Sequence, residues 1–172
     1  PTRNVLYVKG RVLSGDTLHV LVCHLPSRLG ATRVSRRHRM LAARTVSAVA
    51  DSIRTVVDDA RIVVMGDFNA GSEDEVFLEA FIPYFHEPEL AFSRQSEVKG
   101  SYRYRGIWET IDHILVSPAL MDNSRPFHTS DGCRAIVAFP FMCEREKRMA
   151  AFVRSAPTKA RCIKEDTATI FR

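Results

Sequence analysis

At 172 residues, with 45% hydrophobic and 26% charged side chains, the chain has globular rather than disordered composition and room for one domain with a real core, or for a piece of a larger one. No apolar run approaches the roughly 20 residues a membrane-spanning helix needs, and no signal-peptide pattern opens the sequence. The formal charge of +5 and the pI near 9.3 favour a polyanionic partner, although a basic balance is also common in proteins that touch no nucleic acid.

The first residue is Pro1 rather than Met, so the amino end is expected to be processed or cut, and the compartment is left open. Cys23, Cys133, Cys143 and Cys162 are scattered without a CxxC pair or metal-ligand spacing, and Cys23 lies in an apolar run where a small buried thiol is expected. No disulfide framework is implied.

Residues 4–12 and 17–24 are strand-like and are joined through Ser14-Gly15-Asp16, which predicts a hairpin. The second run is nearly all apolar, as a strand covered on both faces would be, and it ends on His24 before Leu25-Pro26. From about 32 to 59 there is no Gly or Pro, and Val46, Val49, Ile53, Val56 and Val57 recur at helical spacing, which predicts an amphipathic helix. Its first half carries Arg33, Arg36, Arg37, His38, Arg39 and Arg44; such a run can face phosphates, but on a helix it is ordinarily a solvated face.

Residues 61–65 form an apolar, β-branched strand that stops at Gly66-Asp67-Phe68-Asn69. Oxygen-bearing side chains at a strand end suit a hard cation and a phosphate, while Gly, Asp and Asn are equally ordinary turn residues. A short acidic helix over 72–80 follows, with Ser72 as cap and Glu75 closing a capping box. Strand, helix, strand, helix is the α/β pattern. Residues 82–96 read as a connection with little regular structure, and 100–108 interleave Tyr102, Arg103, Tyr104, Arg105 and Trp108. That mixture either stacks on bases and pairs with phosphate or is an amphipathic β-hairpin. A further strand over 110–118 carries Asp112, a carboxylate that needs partners if buried.

His24 in HLPSR, Asp67 and Asn69 in GDFNA, and Asp112 in TIDHILVSP occur in the order and spacing that resemble the endonuclease/exonuclease/phosphatase superfamily. The resemblance runs from about residue 4 to about residue 140. It implies an α/β (α+β) fold, the carboxyl-terminal part of a four-layer αββα sandwich of deoxyribonuclease I-like type. By that resemblance His24 is a hydrogen-bond donor to the scissile phosphate, and Asp67 activates water or helps bind Mg²⁺ (or Mn²⁺). Asn69 holds phosphate and transition-state oxygens and is grouped with Asp67 at the metal, while Asp112 orients a catalytic histidine. Arg28, Tyr102, Arg103 and Trp108 are the residues expected to touch substrate. The implied chemistry is hydrolysis of a phosphate ester, a nucleic acid among the substrates considered.

The family's metal-binding glutamate belongs to an amino-terminal half that this chain is expected to lack. Its closing Ser-Asp-His motif is also missing, because Ser130-Asp131 is followed by Gly132, and neither His113 nor His128 has the motif. After about residue 146 no strand period is convincing. Reading each codon from Arg154 to Arg172 one base early fixes two bases of every shifted codon, and permitted synonymous choices spell PFRTYQGPVYKGGYSDHLP. That string holds the missing motif. The expected organisation is therefore a partial domain over 1–148 and an out-of-frame, poorly ordered tail over 149–172. Three functions follow: a nuclease or phosphodiesterase, a lipid or small-molecule phosphoesterase, or a remnant that binds phosphate without turnover. A divided sandwich also exposes an apolar sheet face and favours self-association.

Overall fold

The computed structural model describes residues 3–28, 32–90 and 98–137, and beyond them the backbone of three short strands, Cys143–Arg145, Ala160–Cys162 and Thr169–Phe171. The expected hairpin forms from β1 (Leu6–Arg11) and β2 (Thr17–His24), with Gly15 in the left-handed region at φ 88° closing the turn. Helix α1 (Thr32–Arg54) crosses over to β3 (Arg61–Asp67), which lies parallel to β2. α2 (Glu75–Ala80), the hairpin β4 (Tyr102–Tyr104) and β5 (Ile107–Glu109), and β6 (Asp112–Val116) follow. β6 returns antiparallel to β3, completing a mixed four-stranded sheet in the order β1-β2-β3-β6.

Alternation along the strands divides this sheet into two unlike faces. On one, Leu21, Cys23, Ile62, Val64 and Leu115 meet Ala43, Val46 and Ala50 of α1, Val76 and Phe77 of α2, and Phe68, Phe81 and Phe85, all buried. Burial pushes the Cys23 thiol up to about 12, with the Asp67 charge adding to the rise, so this cysteine behaves as the inert apolar residue expected. On the other face Val63, Ile114, Val116 and Leu120 pack against half-buried neighbours such as Val20, Met65 and Phe127. Leu6 and Val8 extend this face across β1 at 59% and 48% exposure. β2 is therefore fully covered on the helix side alone, not on both sides as its composition suggested.

Two further expectations differ in detail. α1 stops at Arg54 instead of reaching residue 59, and Val56 is 83% exposed. The β-branched Thr55-Val56-Val57 and the anionic Asp58-Asp59 disfavour a helix carboxyl end. α2 starts at Glu75 with Asp74 as its cap, accepting from the Val76 N–H, while the Ser72 hydroxyl donates to Glu87 instead. Of the tail expected over 149–172, Ala160–Cys162 pairs with Cys143–Arg145 as β9 with β8, and Thr169–Phe171 pairs as β10 with β7 (Arg134–Ile136). The rest of that tail lies outside the described residues.

Candidate active site

The register of three strands builds the site. His24 closes β2 opposite Asp67, which closes β3, and Asp67 lies opposite Asp112, which opens β6. Paired residues share a face, so the three side chains stand in one row at one end of the sheet, on the face away from the helices. His24 Nε2 is 3.5 Å from Asp67 Oδ2, with side chains 50% and 31% exposed. Gly66 makes the row possible: its φ is 136°, and a Cβ there would lie 1.9 Å from the Cys23 carbonyl oxygen.

Asn69 leaves the strand at φ 48°, a conformation asparagine tolerates better than most residues. Its N–H donates to Asp67 Oδ1 at 2.8 Å, an Asx-type turn, and its side-chain amide donates to the Leu25 carbonyl at 3.0 Å. Because a carbonyl only accepts, that contact fixes the amide nitrogen inward. The Leu25 N–H donates to the Asp67 carbonyl and the Phe68 N–H to that of Ile111, each within 2.9 Å. The turn is thus stitched to both neighbouring chain segments, with buried Phe68 as its anchor.

Ser101, which the sequence did not single out, accepts the N–H groups of Ile111 and Asp112 at 3.1 Å each. Burial is the largest influence on Asp112 and raises its pKa; hydrogen bonding from Ser101 opposes the rise and the Asp67 charge adds to it. Two neighbouring carboxylates with one exposed histidine leave this end of the sheet short of positive charge. The donors are all oxygen: the carboxylates of Asp67 and Asp112 and the Asn69 amide, a set that suits a hard cation holding several waters. Among the described residues no group of three or more His, Cys, Asp or Glu forms a metal cluster by itself. The row therefore fits part of a Mg²⁺ site.

The expected substrate residues are placed around the hairpin and are already engaged. Arg28 is bonded to Glu109 of β5, tying the segment after β2 to that hairpin. Arg103 lies over the Trp108 ring at 5.5 Å, Arg105 over Tyr104 at 5.1 Å, and Tyr102 stacks on Tyr104 at 6.4 Å. The basic face of α1 is partly committed as well, Arg36 to Glu75, Arg44 to Glu79, and buried Arg39 to the carbonyls of Pro26 and Ser27. Asp131 pairs with His86 at 2.8 Å. His86 bridges Val116, at the end of β6 opposite Asp112, so Asp131 stands apart from the row. His128 is bonded to the Arg125 carbonyl, and His113 faces the helix side, so neither partners Asp112.

The fold is α/β, a mixed sheet with helices on one face and two carboxylates at one strand end. Residues 1–158 match the Endonuclease/Exonuclease/phosphatase family, and the chain belongs to it. Beta toxin from Staphylococcus aureus has a similar fold at 20% identity and a TM-score of 0.57, over 78% of this chain and 48% of that one. Sphingomyelinase C from Streptomyces griseocarneus aligns at 19% identity and a TM-score of 0.53, over 77% and 46%. A Staphylococcus aureus beta toxin mutant with bound magnesium ions aligns at 15% identity and a TM-score of 0.56, over 90% and 52%. At these identities the likeness is one of fold. The chain spans about half the length of the structures it matches, and no curated protein matches it in sequence.

The raised Asp112 pKa has a definite sign. A carboxyl that binds its proton more tightly when folded costs stability once pH exceeds its folded value, and costs nothing below the ordinary carboxylate value of about 3.9. Asp112→Asn is expected to raise the melting temperature near pH 8, by about 2–4 °C for each kcal/mol relieved. The gain should vanish near pH 3 in thermal scans; a stability loss near pH 8 would contradict the cause assigned.

Proposed function

We propose that the chain carries one half of a divalent-metal-dependent phosphoester hydrolase site, most simply that of a phosphodiesterase or nuclease. The observation that carries this is the His24, Asp67 and Asp112 row, followed by Asn69, at one sheet end. His24 would donate to a phosphoryl oxygen, and Asp67 with Asn69 would hold Mg²⁺ or Mn²⁺ and the attacking water's oxygen. Bound metal supplies a Lewis acid that neutralises charge on the phosphoryl group. Asp112 would orient a histidine from another segment. The magnesium bound in the beta toxin mutant supports the choice of metal.

The charge of +5 leans toward a nucleic acid, while the sphingomyelinase among the similar folds favours a lipid phosphoester. Arg28, Tyr102, Arg103 and Trp108 border this end of the sheet through the contact of Arg28 with Glu109 and would meet substrate only by exchanging their present partners. The family's amino-terminal half would cover the open sheet face and bring the remaining metal ligand. The alternative is a remnant that binds phosphate without turnover.

The test assays the 172-residue chain with Mg²⁺ on plasmid DNA, a chromogenic phosphodiester and sphingomyelin, beside Asp67→Asn. Mg²⁺-dependent cleavage that falls about 10²- to 10³-fold in the variant is the expected result for an intact site, the magnitude of one lost electrostatic stabiliser. Cleavage unaffected by Asp67→Asn would sink the assignment. No cleavage of any substrate selects the remnant.

The tail belongs to the same proposal. A frameshift between about 149 and 153 would make 149–172 an out-of-frame translation of the segment that supplies Ser-Asp-His. The shifted string supports it. The coding DNA decides: synonymous codons that do not spell Ser-Asp-His-Leu-Pro one base early end the idea.

A further inference from the structure

His113 is a strongly hydrogen-bonded side chain close to this row that the mechanism above does not use. It follows Asp112 on β6 and so points to the helix face, where its side chain is 0% exposed. The ring lies between Phe68 and Phe77 at centroid distances of 5.3 and 4.5 Å. Nε2 is 2.8 Å from the Ala70 carbonyl oxygen, and Nδ1 is 2.7 Å from Glu87 Oε1. A carbonyl can only accept, so Nε2 carries a hydrogen.

Glu87 Oε1 also receives Nη1 of Arg134, and its other oxygen receives the Ser72 hydroxyl at 3.0 Å. Burial alone would raise the Glu87 pKa, but the His113 hydrogen bond and the charges of His113 and Arg134 hold it below the usual carboxylate range. Glu87 thus accepts from Arg134 and Ser72 and lies 2.7 Å from Nδ1 of the ring.

An ionised network inside an aromatic core is costly, and a phenyl ring would fill the same space without that cost. What a phenyl ring could not do is hold Ala70. The Asp67–Asn69 turn is fixed from the sheet edge by the Phe68 and Asn69 bonds to Ile111 and Leu25. Among the described residues its exit at Ala70 is held from beneath, through His113, by groups from 72, 87 and 134.

We propose that His113 is a positioning residue, pinning the Ala70 carbonyl so that the Asp67–Asn69 turn keeps its ligand geometry, with Glu87 and Arg134 fixing the ring. The purpose of that turn rests on the phosphoesterase reading; the pinning does not.

The test compares the isotope-labelled 172-residue chain with His113→Phe, Glu87→Gln and Glu87→Ala by magnetic resonance. His113→Phe keeps the aromatic packing and should speed amide exchange at Asn69 about fivefold, the worth of one net hydrogen bond, while Val63 and Val64 stay protected. The apparent Mg²⁺ dissociation constant should rise by a similar factor. Glu87→Gln, which keeps a polar partner for Nδ1, should keep native exchange at Asn69, whereas Glu87→Ala should loosen the turn as the phenylalanine does.

Native exchange at Asn69 in His113→Phe overturns the proposal. Should His113→Phe not fold, Glu87→Ala decides by the same readout, unchanged exchange at Asn69 being the overturning result. A native chain that binds no Mg²⁺ removes the phosphoesterase reading while leaving the exchange comparison intact.

Discussion

The close passage of β3 beside β2 at Gly66 is the contact on which the rest depends. Only a residue without Cβ can bring β3 alongside the Cys23 carbonyl, where an added Cβ would lie 1.9 Å from that oxygen. That approach sets the last register positions of the parallel pair and delivers Asp67 beside His24. β6 then adds Asp112 from the other side. A slip of one residue would send all three side chains to the helix face, so the hydrophobic pattern that buries Ile62 and Val64 also presents the acidic row.

The two sheet faces carry different work. The helix face is closed by α1, α2 and a cluster of phenylalanines, and supplies most of the apolar burial that holds the chain together. The opposite face ends in the row and is apolar but thinly covered, with Leu6 and Val8 open at β1. Burying Asp112 at the end of that face, with the Asp67 charge beside it, works against stability. Proteins tolerate such strain where a ligand relieves it, and a divalent cation between the two strands is the simplest relief.

Much of this was legible in the sequence because strand period and turn chemistry are local. The hairpin at Ser14-Gly15-Asp16, the β-branched run before Gly66 and the inert Cys23 follow from residue types alone. The family resemblance marked His24, Asp67, Asn69 and Asp112, and the strand register brings them together. What escaped was the pairing of long-range polar partners. Nothing in a chain reading joins Glu87, in an irregular connection, to His113 and Arg134, or Arg28 to Glu109. The cap of α2 went to Asp74 because Ser72 is drawn into the same Glu87 network. The aromatic and basic hairpin left two readings open, and its internal stacking favours the structural one without testing substrate contact.

The central claim is that one end of the sheet is half of a metal and phosphate site. Titrating Mn²⁺ into the isotope-labelled chain and following paramagnetic broadening of backbone amides tests it directly, because the effect falls steeply with distance. Signals of His24, Asp67, Phe68, Asn69 and Asp112 should broaden first, while Thr17, Arg61 and Val116 at the other ends of the same strands stay sharp. Broadening centred elsewhere, such as the exposed Asp59 and Asp122 near Arg125, or spread evenly over the chain, would contradict the claim.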